Sequence, residues 1–98
     1  MHPEPGFYTH YKHDPSGKPH NYTYEVVGIV RNTEDKSLMV LHRPLYESEW
    51  MPPAKYQARP LEMFFEEVEY GGKRLPRFVK ITDPALIEEL AAIRDRMY

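Results

Sequence analysis

The 98 residues contain no cysteine, which rules out disulfides, thiolate metal sites and cysteine nucleophiles and removes the usual clue to redox compartment. Long apolar runs are missing too: none approaches the ~20 residues of a membrane span, and Met1 to Gly6 shows no basic stretch leading into an apolar one. Export and membrane insertion are disfavoured, and a cytoplasmic location is expected. Nor is there an excess of one charge. With 13 basic and 15 acidic side chains and a net charge of -2, the chain has no global field for a polyanion, so nucleic acid is a disfavoured partner. Internal repeats, low-complexity tracts and an interdomain linker are absent as well.

What is present is ordinary globular material: 41% hydrophobic and 29% charged residues, enough for one core in a single domain spanning 1–98. Eight tyrosines stand out among the aromatics. A buried phenol needs a partner, so such rings belong at the edge of a core or on a recognition face.

Met1 to Pro5 reads as a loose leader. From Gly6 to Lys12 the residues alternate, placing Phe7, Thr9 and Tyr11 on one side of a strand and Tyr8, His10 and Lys12 on the other. His13 to Asn21 has turn composition. Tyr22 to Arg31 is the longest strand candidate, with Val26 to Val30 apolar on both faces as in a central strand and Gly28 marking a bend. Leu38 to His42 returns beside it as a hairpin. Leu45 to Tyr56 is an irregular aromatic loop in which the pair Pro52 and Pro53 forbids both helix and central strand.

The densest stretch is Arg59-Pro60-Leu61-Glu62-Met63-Phe64-Phe65. Pro60 biases Arg59 toward extended backbone, so its fork enters the turn already aimed. Glu62, set among apolar residues, needs water or a partner, and Arg59 is the obvious one. Strands are then predicted over Phe64 to Tyr70 and Leu75 to Ile81, joined at Gly71 and Gly72, whose freedom at positive φ suits a tight hairpin. Thr82, Asp83 and Pro84 make a helix start. Leu86, Leu90, Ile93 and Met97 then form the apolar stripe of a C-terminal helix over 83–98, which must pack on the barrel segment 6–82 or on a second copy as a homodimer.

The run Gly6-Phe7-Tyr8-Thr9-His10-Tyr11-Lys12, then Tyr24-Glu25-Val26-Val27-Gly28, Arg43-Pro44-Leu45-Tyr46, Arg59 to Phe64 and Pro76-Arg77-Phe78 resembles the DUF1653 family over Gly6 to Ile81. The resemblance implies a mainly β fold, a small SH3-like antiparallel barrel, with no assigned activity. The long segment from Tyr46 to Arg59 and the terminal helix depart from its pattern.

Chemistry is sparse. His10 and His13, three apart in an extended strand, fall on opposite faces, which disfavours one shared metal ion. No serine or threonine sits in an exposing elbow. Neither a catalytic residue nor a cofactor is assigned. Arg43, Arg59 and Arg77 each adjoin a proline, and guanidinium forks suit carboxylate or phosphate; equally they serve to pair Glu25, Glu62 or Glu66. The expected function is therefore a noncatalytic binding module whose face combines Tyr8, His10, Tyr46, Trp50, Arg59 and Glu62, taking an extended peptide or a small anionic ligand. Two alternatives stand beside it: a small enzyme with His10 and Glu62 as acid and base and Arg59 as anion clamp, and a binder of single-stranded nucleic acid.

Overall fold

The structure, a computed structural model, describes residues 2–18, 20–47 and 55–98. Among these residues, seven strands and two helices follow in the order β1 (Gly6–His10), β2 (Thr23–Arg31), β3 (Leu38–Pro44), β4 (Gln57–Pro60), α1 (Leu61–Phe64), β5 (Glu67–Tyr70), β6 (Lys73–Pro76), β7 (Phe78–Lys80) and α2 (Pro84–Met97). The chain is mainly β, as expected. Five strands form an antiparallel sheet in the order β4-β3-β2-β1-β7, and β5 and β6 form a separate hairpin. The five-stranded sheet is open: β4 and β7 are its edges, with no ladder joining them among the described residues.

Side-chain alternation gives the sheet two different faces. On one, Tyr8, Val26, Val40, Phe64 and Phe78 make a core cluster; on the other, Phe7, Leu45 and Ile81 meet Leu90 of α2. The helix stripe is thus satisfied within the chain: Leu90 is fully buried, and Leu86 and Ile93 pack against the same cluster. The Asp83 side chain accepts from the Ala85 N–H at 3.1 Å and Pro84 takes the first turn, as their order in the sequence predicts. A partly buried ionic network fastens the helix further: Glu25 accepts from Arg43 Nε and from Arg94 Nη1, both at 2.8 Å.

Several local expectations need correction. The leader is not loose, because Tyr8 donates its hydroxyl to the Glu4 carbonyl at 2.9 Å and Pro3 is buried. Phe64 does not begin a strand. It ends the one-turn helix α1, which lets its ring stack on Phe78 at 4.4 Å between centroids. Burying that ring in the core cluster with Tyr8, Val26, Val40 and Phe78 outweighs its β-propensity. The predicted strand from Leu75 is split at Arg77, so that Lys73–Pro76 pairs with β5 while Phe78–Lys80 pairs with β1. In β2, Val27 is 41% exposed, so the apolar run is not buried on both faces. Gly28 does mark an irregularity, a register shift between Val26 and Gly28 against β3. The Gly71-Gly72 turn has φ of 61° and 77°, the paired left-handed residues that a two-residue hairpin requires. Among the described residues no helix is long and apolar enough to cross a membrane.

Candidate functional site

The register of β1, β2 and β7 assembles the site. His10 pairs with Phe78 across the β1–β7 ladder, and Tyr8 pairs with Tyr24 across β1–β2. Cross-strand partners share a face, so His10, Tyr24 and Phe78 converge beside the first core cluster. Phe78, stacked on Phe64, forms the floor. The His10 ring lies edge-on to it at 5.2 Å and is flanked by Tyr11 at 4.2 Å and Tyr22 at 5.8 Å. Tyr46 closes the wall: its ring is 5.6 Å from both Tyr22 and Tyr24, and its hydroxyl bonds that of Tyr24.

Two arginines reach this aromatic basket from the sheet edges. Arg59, on β4 and paired with Val40, sets its Cζ 5.5 Å from the Phe78 centroid. Arg77, at the break between β6 and β7, is fixed by its backbone: its N–H donates to the Glu66 carbonyl and its carbonyl accepts from Tyr11, both at 2.9 Å. The Nε atoms of Arg59 and Arg77 are shut off from solvent and make no hydrogen bond to any of the described residues. Such groups are rare in folded proteins and call for an explanation.

Titration behaviour follows from this crowding. His10 is held down to about 4, first by burial and then by the positive charges of Arg59, Lys12 and Arg77. Its Nδ1 accepts from the Lys12 N–H at 3.2 Å, so in the neutral ring the proton sits on Nε2. Burial and then the charge of Arg77 likewise lower Arg59. Burial raises Tyr24 and Tyr46, keeping both as phenols. His42, buried on the same face, is also lowered by burial.

Of the sequence-predicted residues, His10, Tyr46 and Arg59 come together. Tyr8 does not join them at the surface, because its ring is 2% exposed and packs edge-on against Phe64 at 5.4 Å. Glu62 faces elsewhere, into an open cleft of about 420 Å³ that it shares with Asp35, Ser37, Leu38, Pro60 and Leu61. Arg59 forms no ion pair with it, so the expected Arg59–Glu62 pairing is corrected: the arginine's neighbours are Phe78, Arg77, Tyr24 and Tyr11. The His10–Glu62 acid–base pair fails on sign, since a carboxylate partner raises an imidazole whereas His10 is depressed among cations. Trp50 lies outside the described residues, as do Pro52 and Pro53. Among the described residues, Arg43 alone of the three proline-flanked arginines takes the pairing role, with Glu25 on the opposite face of the sheet.

Sequence reasoning missed Tyr22 and Tyr24. The available signal was their spacing of two at the start of a strand, which puts both rings on one face. A second open cleft, of about 570 Å³, runs between the loop holding Lys18 and His20 and the helix at Ile93, Arg96 and Met97, with Tyr46 at its border.

A mainly antiparallel fold, a terminal helix and a basic aromatic basket define the class of domain, and comparison with known proteins identifies the family. The model of the family described as a protein of unknown function, DUF1653, matches residues 6–80, so the chain belongs to DUF1653. A crystal structure of a DUF1653 protein from Bordetella bronchiseptica is similar at a TM-score of 0.64 and 28% identity, over 80% of this chain and 86% of that one. No curated protein matches the chain.

Proposed function

We propose that the chain is a noncatalytic binding module that captures the anionic group of a ligand between Arg59 and Arg77. The observation that carries this reading is the arginine pair itself: two like charges, each with a buried Nε that makes no hydrogen bond to a described residue, Arg59 being lowered first by burial and then by Arg77. Each unmade donor costs roughly 1–3 kcal/mol, and no carboxylate of the described residues offsets the repulsion. An anion accepting from both forks would relieve both costs, and guanidinium geometry suits carboxylate or phosphate. His10, neutral and carrying its proton on Nε2, would add a third donor. The face comprises His10, Tyr22, Tyr24, Tyr46, Arg59 and Arg77. The cytoplasm is the proposed compartment, and cell fractionation tests it.

The test is calorimetric titration of the full chain with inorganic phosphate and with acetate. Wild type is expected to bind at least one of them, and Arg59→Gln and Arg77→Gln are each expected to abolish that binding while retaining a cooperative melt. Failure of wild type to bind either anion would reject the proposal.

A further inference from the structure

We infer that the ligand is a small molecule with a planar ring bearing one anionic group, the ring resting on Tyr22 and the anion between the arginines; this rests on the anion-capturing role proposed above. The independent observation is Tyr22. Its φ is 46°, a left-handed conformation that asparagine or glycine enters readily and a bulky residue seldom does. The backbone is held there because the Tyr22 carbonyl accepts from the His10 N–H at 2.8 Å. The ring so presented remains 39% exposed, so packing recovers only part of what the strain costs. Strain at an exposed residue beside a candidate site is a mark of function.

The arrangement of the ring indicates its use. Tyr22 lies near-parallel to His10, at 27° and 5.8 Å, and tilted against Tyr46 at 5.6 Å. Together they make an aromatic platform beside Phe78, whose ring His10 meets edge-on and Arg59 overlies. A planar ring stacks on such a platform with little regard to its substituents. The polar groups select the rest of the ligand. Arg59, Arg77 and the Nε2–H of His10 are donors, so the site favours an anionic, acceptor-rich group.

Charge decides the size. The cations acting on His10 are Arg59, Lys12 and Arg77, and the whole chain carries -2. A polymeric nucleic acid needs a track of cations along its backbone, whereas a single phosphate or carboxylate is matched by this cluster.

The experiment compares ring-bearing and ringless anions on the full chain by calorimetry: AMP against inorganic phosphate, benzoate against acetate, with adenosine and a short thymidine oligomer as further probes. At least one ring-bearing anion is expected to bind roughly ten-fold or more tightly than its ringless partner, the scale of one stacked ring. Tyr22→Asn, which accepts the same backbone conformation, is expected to bring the ring-bearing to ringless affinity ratio down to about one. Should its melt show that it has lost the fold, Tyr46→Leu provides the same reading. Equal affinity for ringless and ring-bearing anions would overturn this inference while leaving anion capture intact. Adenosine binding as tightly as AMP, or the oligomer outcompeting AMP at equal site concentration, would also overturn it. Absence of binding by any anion would instead strike the anion-capturing role beneath it.

Discussion

Arg59 lies across Phe78 with its Cζ 5.5 Å from the ring centroid, yet its Nε reaches neither water nor a hydrogen-bond acceptor. A guanidinium kept only for packing would not need to leave a donor unmade beside a second arginine. On the reading proposed above, the contact holds the charge in position for an anion.

Arg59→Met keeps an apolar stem over Phe78 and removes both the buried donor and the repulsion from Arg77. Stability is expected to stay within about 1 kcal/mol of wild type or to rise, because the loss of an unmet donor offsets the lost cation–π contact, while phosphate binding disappears. Urea unfolding followed by tyrosine fluorescence measures the first. A loss beyond about 2 kcal/mol would show that Arg59 chiefly holds the fold together.

Acid should weaken the fold through His10. Its folded value of about 4 lies below the ordinary 6.5, so the unfolded chain binds more protons between these limits and stability falls as pH drops through them, levelling off below about 4. For a half-buried ring the contribution, discounted for solvent screening, is about 1–2 kcal/mol. Burial also lowers His42, which adds loss of the same sign. Urea midpoints measured from pH 7 to 4 should therefore fall less steeply in His10→Gln than in wild type; parallel curves would refute the assignment.

Glu25 ties the sheet to the helix, accepting at 2.8 Å from Arg94, 69 positions away, while Arg43 bonds its other oxygen at the same distance. Glu25→Ala leaves two arginines facing each other in a partly buried place and should cost about 2–3 kcal/mol. Arg94→Ala should cost less, since Arg43 still neutralises the carboxylate. A double-mutant cycle on Glu25 and Arg94 is expected to be non-additive, and additive losses would contradict the coupling.

Leu90 is fully buried between α2 and the sheet, in contact with the cluster of Phe7, Leu45 and Ile81. Leu90→Ala should cost about 2–5 kcal/mol. Because the stripe is covered within one chain, the melting temperature is expected not to change with protein concentration. A concentration-dependent midpoint would mean that a second copy completes the helix packing.

The elements that local chemistry specifies were legible in the sequence. Gly71 and Gly72 meet the φ demand of a hairpin, Asp83 and Pro84 that of a helix start, and the spacing of Leu86, Leu90 and Ile93 that of a buried stripe. Arg59 was legible as an aimed fork because Pro60 restrains its backbone. Its surroundings were not, since they depend on long-range register. The β1–β7 ladder sets Phe78 beside His10, and the end of β6 brings Arg77 toward Arg59. The same parity sends Arg43 to the helix side with Glu25. Adjacency in sequence favoured Glu62 as the partner of Arg59, but the turn of α1 carries Glu62 out toward Asp35.

Anion capture by both arginines is tested most directly by following the arginine Nε–H resonances of ¹⁵N-labelled protein during addition of inorganic phosphate. The account predicts that the Arg59 and Arg77 signals move together and saturably as their unmade donors find an acceptor, and that in Arg59→Gln the Arg77 signal no longer responds. Stationary Arg59 and Arg77 signals, with changes confined to exposed arginines such as Arg74, would contradict it.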